Sequence, residues 1–133
     1  MADALAYIHS CGYLHRDIKS SNILVRPNGE PILLDFGLAK VKNDPTRNLT
    51  MVNEILGSVN MSPEQAEGKN DLVDERSDIY SLGTIFYEML TKQFVFPSAN
   101  TTLDVLRHII KTEPILPRDI NPRIPEMLEE IVV

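Results

Sequence analysis

The residues whose types and spacing could do chemistry lie between positions 15 and 37. Residues 15–22 read His-Arg-Asp-Ile-Lys-Ser-Ser-Asn, and thirteen residues after Asn22 the chain reads Asp-Phe-Gly at positions 35–37. A carboxylate can accept a proton from an attacking hydroxyl, and carboxylate and amide oxygens are ligands that Mg²⁺ prefers. A nearby lysine can stabilise negative charge that develops on a transferred group. The pattern therefore offers the groups that a metal-assisted group transfer needs.

Two β-prone runs predict a hairpin that brings part of this set together. The runs Ile-Leu-Val at 23–25 and Ile-Leu-Leu at 32–34 flank Pro-Asn-Gly at 27–29. An Asn-Gly pair between such runs is a hairpin signal. Asn22 then comes just before one strand and Asp35 just after the other. We expect both side chains at the same end of the hairpin, as a shared metal site requires.

The other elements are predicted to be helical. Residues 2–11 carry apolar residues at helical spacing and are followed by Gly12, a helix stop. Ser-Pro-Glu-Gln at 62–65 has the form of a capped helix start. Residues 78–91 are apolar enough that we expect a helix buried in the core.

Further along, residues 101–111 form an amphipathic pattern with a capping box of Thr101 and Asp104. A proline-broken connection leads to a last helix from about Pro125. The polar residues 38–60 read as a long surface loop. The fold class predicted by these patterns is mainly α with a small β-hairpin.

The combined motifs resemble those of serine/threonine protein kinases, and more narrowly the eukaryotic-like kinases of bacteria. His-Arg-Asp with Lys19 and Asn22, followed by Asp-Phe-Gly, matches the kinase signatures at compatible spacing. Met-Ser-Pro-Glu-Gln-Ala at 61–66 is similar to the family's Ala-Pro-Glu element, and residues 74–83 look like the start of its central helix. The resemblance implies a large (C-terminal) kinase lobe, truncated at both ends.

That resemblance implies a role for each matching residue. Asp17 would be the catalytic base and Lys19 the charge stabiliser, while Asn22 and Asp35 would hold Mg²⁺. Lys19 and Asp35 would also contribute to ATP binding. Leu24 would touch the adenine ring. The further residues that it assigns are His15 and Phe36 in a hydrophobic spine, Arg16 as partner of a phosphate on Thr46 or Thr50, Gly37 in the metal loop, Glu64 and Asp78 as structural anchors, and Ser58 in the substrate loop.

Several of these assignments have simpler alternatives. Phe36 and Leu24 would be core residues in almost any fold, so burial alone could explain their types. Thr46 and Thr50 are ordinary loop residues, and the Ser-Pro-Glu-Gln cap does not depend on a kinase fold. The segment 57–64 is one residue shorter than in the family and lacks the Tyr that usually precedes Met61. In the family this loop shapes the pocket for the residue after the phosphoacceptor, so the shorter segment departs from the family's pattern of peptide recognition.

Composition limits the partners and the compartment. A formal net charge of −6 argues against a nucleic-acid surface. One cysteine, Cys11, cannot form an internal disulfide, which fits a reducing, cytoplasmic compartment. No signal peptide or membrane segment is indicated, because the longest apolar stretch is short and interrupted by polar residues. The expected partners are ATP, Mg²⁺ and protein substrates with Ser or Thr acceptors.

Two interpretations remain open for a chain of this length. Its 133 residues contain no Gly-x-Gly-x-x-Gly loop, which kinases place over the nucleotide phosphates. We expect one partial kinase domain over 1–133, with a catalytic loop at 15–22, a metal loop at 35–37, an activation segment at 35–64 and a central helix at about 78–91. The favoured interpretation is a piece of a longer phosphoryl-transferring enzyme; the alternative is a non-catalytic binding module.

Overall fold

Helices account for about half of the described residues, and the strands are short. The computed structural model describes residues 1–36, 40–41, 59–96 and 101–133. Its helices are α1 (Ala2–Ser10), α2 (Pro63–Ala66), α3 (Glu75–Thr91), α4 (Thr102–Lys111), α5 (Pro117–Ile120) and α6 (Glu126–Val132). The prediction of a mainly α fold with a small hairpin is confirmed.

The predicted hairpin is present and precedes the Asp-Phe-Gly motif. Strand β2 (Ile23–Val25) pairs antiparallel with β3 (Pro31–Leu33), with Ile23 opposite Leu33. Gly29 has φ +83°, a left-handed conformation that glycine adopts without steric cost. The Asn28 side chain accepts a hydrogen bond from the backbone N–H of Glu30 at 3.0 Å, which stabilises the turn.

A second pair of strands was not predicted. Strand β1 (Tyr13–Leu14) pairs antiparallel with β4 (Lys40–Val41). The prediction of a long surface loop over 38–60 is wrong at these two positions, which form a strand. Two residues are too few to produce a periodic pattern, so only the pairing with a distant strand defines this element.

The helix ends largely follow the predicted caps. Ser62 and Gln65 form the reciprocal capping box of α2. Thr101 accepts a hydrogen bond from the Asp104 N–H at 3.1 Å, while its hydroxyl donates to the Asp104 carboxylate at 2.7 Å. The proline-rich connection contains the short helix α5, whose first residue is Pro117, a favoured position for proline.

The central helix α3 begins at Glu75 and is buried along one face only. Asp74 caps it by accepting a hydrogen bond from the Arg76 N–H. Its buried face packs against α5 and α6, and Tyr87 donates a hydrogen bond to the Ile115 carbonyl at 2.8 Å. Ile79, Phe86 and Met89 are 40–60% exposed. The prediction that this helix is buried in the core therefore holds for one face, while the described elements that pack on α3 leave this apolar stripe uncovered.

A small apolar cluster joins α1, the hairpin and α3. Its buried members are Leu5, Ile18, Leu33, Leu82 and Ile85. Ile18 belongs to the predicted catalytic loop, and Leu33 lies two residues before Asp35. The same cluster that stabilises the fold therefore also positions both chemical motifs.

Truncating Leu5, which is fully buried, should destabilise the fold strongly. We expect Leu5→Ala to lower the free energy of unfolding by about 3 kcal/mol, because it removes buried methyl groups and leaves a cavity. Leu103→Ala, at a residue that is 75% exposed, should change it by less than about 0.5 kcal/mol. Urea unfolding of the two variants measures both changes in free energy. Equal changes would contradict the assignment of Leu5 to the core.

Candidate active site

Three of the predicted functional side chains form one hydrogen-bonded cluster. The Lys19 ammonium lies 2.7 Å from the Asp17 carboxylate. The Asn22 amide nitrogen donates to the same carboxylate oxygen at 3.1 Å and to the Asp17 backbone carbonyl at 2.8 Å. A short 3₁₀ turn, Ser20–Asn22, folds the chain back so that Asn22 reaches Asp17. The proximity that sequence spacing indicates is therefore realised in the fold.

The orientation of Asn22 leaves its oxygen for another ligand. Asn22 is buried, and both of its described side-chain bonds use the amide nitrogen. The remaining atom, Oδ1, is a hard oxygen of the kind that Mg²⁺ binds. The residue types fit a magnesium ion that takes one or two protein oxygens and completes its shell with phosphates and water.

The hairpin brings Asp35 to the same end as Asn22. The Leu34 N–H donates to the Asn22 carbonyl at 2.8 Å, so the residue that precedes Asp35 is tied to the backbone of Asn22. Asp35 has φ 60°, a left-handed conformation that is uncommon outside glycine. Among the described residues, no group of three or more His, Cys, Asp or Glu side chains is suited to holding a metal ion.

The His15 imidazole ties the catalytic loop to the metal loop. Its Nε2 lies 3.1 Å from the Leu34 carbonyl, and because a carbonyl only accepts, Nε2 must carry the proton. Nδ1 then accepts a hydrogen bond from the Asp17 N–H at 3.3 Å. The ring also contacts Phe36, with centroids 5.0 Å apart and planes tilted by 58°.

Asp78, in the first turn of α3, holds the catalytic loop through its backbone. One carboxylate oxygen accepts from the His15 N–H at 2.9 Å and the other from the Arg16 N–H at 2.8 Å. Asp78 is only 1% exposed. The two hydrogen bonds hold Arg16 at φ 68°, a strained conformation for a residue with a Cβ.

The sequence did not point to His9 as a member of this group. Its Nε2 lies 2.8 Å from Asp78 Oδ2 and, since a carboxylate only accepts, donates to it. His9 lies in α1, 69 residues from Asp78, and nothing in its local pattern marks the contact. The partner of His9 could therefore be found only from the three-dimensional structure.

The short helix α2 approaches the catalytic loop from another side. Its Glu64 accepts a hydrogen bond from the Ser77 hydroxyl of α3. Gln65 donates from Nε2 to the Arg16 carbonyl at 3.0 Å. The sequence singled out Gln65 only as part of a cap, so its contact with the residue before Asp17 is a second feature that was missed.

The two apolar residues with assigned roles are not core residues. Leu24 is 51% exposed and Phe36 is 49% exposed. The alternative that burial alone explains their types is therefore wrong in the described part of the chain. The remaining predicted residues, Gly37, Thr46, Thr50 and Ser58, lie outside the described residues.

Asn60 stands immediately before Met61, where the family usually has Tyr. Its amide nitrogen donates to the Thr84 hydroxyl at 2.8 Å and lies 3.3 Å from Glu88 Oε1. Burial raises the pKa of the Glu88 carboxyl, and the Asn60 bond partly opposes this shift by stabilising the ionised form. Burial and then the charge of Glu64 raise the pKa of Tyr80, which also lies on α3.

None of the helices in the described ranges 1–36, 59–96 and 101–133 is both long and apolar enough to span a membrane.

Removing the charge of Asp78 should loosen the catalytic loop. We expect Asp78→Asn to lower the free energy of unfolding by about 2–3 kcal/mol. The carboxylate accepts hydrogen bonds from three N–H donors, whereas the NH2 group of the asparagine side chain cannot accept and would face at least one of these donors. Amide exchange at His15 and Arg16 should accelerate. Asp71→Asn, at an exposed position, controls for the lost charge; no difference between the variants would contradict the anchoring role.

Glu88 should make stability depend on pH. Because its pKa is higher in the folded chain, its contribution is present below the unfolded pKa and is lost as the pH rises through the folded pKa. We therefore expect Glu88→Gln to unfold at higher urea concentration than the unmodified chain at pH 7, with the difference vanishing below about pH 4. Glu130→Gln, at an exposed helix position, is the control for losing one negative charge. If the difference in stability between Glu88→Gln and the unmodified chain did not change with pH, the raised pKa of Glu88 would not be its cause.

Comparison with known proteins places this site in a family. The sequence profile described as "Protein kinase domain" matches residues 1–132. The probable serine/threonine-protein kinase PknB of Lactococcus lactis is 39% identical over 131 residues, which cover 98% of this chain and 20% of that protein. The serine/threonine-protein kinase PrkC of Bacillus subtilis is 37% identical over 134 residues, which cover 100% of this chain and 20% of that protein.

A third relative is the DNA damage-responsive serine/threonine-protein kinase RqkA of Deinococcus radiodurans, 35% identical over 131 residues, which cover 98% of this chain and 19% of that protein. The chain thus spans about one fifth of the length of these curated relatives. The profile match extends over nearly all of the chain, including the Asp17 cluster and its anchor on α3, and the chain therefore belongs to the protein kinase family, in its eukaryotic-like serine/threonine branch.

Proposed function

We propose that this chain provides the large-lobe part of a serine/threonine protein kinase active site. The observation that carries the proposal is the cluster in which Lys19 and Asn22 both contact the Asp17 carboxylate, 2.7 and 3.1 Å away. A base for phosphoryl transfer must be oriented and close to a cation, and the contacts of Asp17 with Lys19 and Asn22 support this role. The partial domain would contain a catalytic loop at 15–22, a metal loop at 35–37 and an activation segment at 35–64.

In the proposed reaction a Ser or Thr hydroxyl of a protein attacks the γ-phosphorus of ATP. The hydroxyl proton passes to Asp17, a new P–O bond forms, and the bond to the leaving ADP oxygen breaks. Lys19 would stabilise the negative charge on the transferred group. Asn22 and Asp35 would hold Mg²⁺, which supplies charge neutralisation on the phosphate oxygens when bound. Leu24, exposed on β2, would lie against the adenine ring.

The surroundings of the cluster fit the same proposal. Phe36 is half exposed, and its ring contacts that of His15. This contact supports the proposed hydrophobic spine, which contains both residues. Arg16 would bind a phosphate on Thr46 or Thr50, and Ser58 would face the substrate. We propose a cytoplasmic location, protein substrates with Ser or Thr acceptors and no nucleic-acid partner, in line with the net charge of −6.

Replacing the base tests the proposal. In the longest natural form of the protein that contains these residues, Asp17→Asn should lower the rate of phosphate transfer from ATP to Ser/Thr peptides by about 10²–10⁴-fold, because proton transfer to a positioned base contributes that much. Radiolabelled phosphate incorporation measures the rate. Asp3→Asn, at an exposed position in α1, removes the same charge away from the site and should leave the rate unchanged.

Two outcomes would overturn the proposal. One is the absence of Ser/Thr phosphorylation by the unsubstituted protein in the presence of ATP and Mg²⁺. The other is an Asp17→Asn variant that transfers phosphate as fast as the parent. Either result would favour the alternative of a non-catalytic binding module, for which the charge of Asp17 has no chemical task.

A further inference from the structure

The peptide group that joins Arg16 to Asp17 immediately precedes the proposed base in the chain. Arg16 adopts φ 68°, which costs of the order of 1 kcal/mol or more for a residue with a Cβ. Such a conformation persists only where the surroundings hold it. Asp78 holds the N–H of Arg16, which belongs to the preceding peptide group. The carbonyl of Arg16 is held by a different residue, Gln65, at 3.0 Å.

Both the oxygen and the nitrogen of the Gln65 side-chain amide form hydrogen bonds. Its Oε1 accepts from the Ser62 N–H at 3.0 Å and lies 3.2 Å from the Ser62 hydroxyl, which completes the cap of α2. Its Nε2 donates to the Arg16 carbonyl. A capping box accepts Glu or Gln at this position. Only Gln can also donate, so the contact with Arg16 explains why an amide and not a carboxylate stands here.

The helix that carries Gln65 is itself fixed to α3. Glu64 accepts from Ser77, and Asn60, just before the cap, donates to Thr84 at 2.8 Å. Ser77 and Thr84 belong to the same helix as Asp78. Arg16 is therefore held twice from α3, directly through Asp78 and indirectly through α2 and Gln65.

We propose that Gln65 is a positioning residue for phosphoryl transfer. It fixes the plane of the peptide group between Arg16 and Asp17, and so the direction in which the Asp17 side chain leaves the backbone. The Asp17 N–H, in the same plane, then points to His15 Nδ1 at 3.3 Å. The effect on transfer rests on the proposed kinase function; the effect on the loop does not.

Gln65→Glu separates the two tasks of this side chain. The carboxylate can still accept from Ser62 and cap α2, but at neutral pH it cannot donate to the Arg16 carbonyl. We expect amide exchange at Asp17, measured by NMR in the full chain, to accelerate by about tenfold, in proportion to the loss of a partly buried hydrogen bond. Protection should return as the pH falls and the carboxyl gains a proton, since a carboxylic acid can donate again.

Three further variants act as controls. Gln65→Met removes both bonds without adding charge and should also accelerate exchange at Asp17. Ser62→Ala removes the capping hydroxyl but leaves the Gln65 bond to Arg16, and Gln93→Glu adds the same charge at an exposed site. Both should leave exchange at Asp17 within about twofold. Equal acceleration in Ser62→Ala and the Gln65 variants would assign Gln65 to helix capping alone and overturn the proposal.

A kinetic measurement distinguishes positioning from substrate binding. In the longest natural form of the protein, Gln65→Glu should lower kcat about tenfold and leave the KM for peptide unchanged, because a misdirected base affects only the reacting complex. A change confined to KM, or no change in kcat, would also overturn the proposal. If the unsubstituted protein transfers no phosphate, the kinase function fails, while the exchange measurements still decide whether Gln65 orders the loop.

Discussion

The buried carboxylate of Asp78 is the interaction on which the arrangement of the site depends. Moving an ionised carboxylate out of water is costly unless hydrogen bonds replace its hydration. Here three N–H donors supply them, two from the backbone of the catalytic loop and one from His9. The charge therefore cannot be satisfied unless the loop and α1 both approach the start of α3. The cost of burying one charge thereby selects the position of two other segments.

Hydrophobic packing and the hydrogen bonds to Asp78 both hold the catalytic loop close to α3. Ile18, between Asp17 and Lys19, packs in the apolar cluster with Leu5 and Leu82. Leu33, at the end of the hairpin, lies in that cluster too. Packing is not directional, so on its own it would hold the loop close without defining its peptide planes. The hydrogen bonds to Asp78 supply the direction, and the apolar cluster supplies most of the attraction.

Sequence patterns were informative wherever structure is determined locally. The Asn-Gly turn, the Ser62 cap and the Thr101 cap involve residues at most a few positions apart, and each was predicted. The contacts of His9 with Asp78 and of Gln65 with Arg16 join residues 69 and 49 positions apart, and no local pattern marks them. The exposed stripe of α3 was missed for a related reason. Apolar composition indicates that a helix can be covered, but only tertiary contacts determine which of its faces are.

The strained residue between the two anchors explains why the site needs more than one of them. A left-handed Arg16 is disfavoured by its own backbone, and a single hydrogen bond contributes only about 1 kcal/mol in net terms. One bond would therefore leave the relaxed loop conformation well populated. The N–H of Arg16 is bound by Asp78 of α3, and its carbonyl is bound by Gln65 of α2, a helix that is itself bonded to α3. Together these bonds restrain the rotations on either side of the Arg16 Cα. Asp17 then lies at the end of a constrained backbone, and its contacts with Lys19 and Asn22 can form before any substrate arrives. Preorganisation of this kind lowers the reorganisation that a reaction would otherwise require.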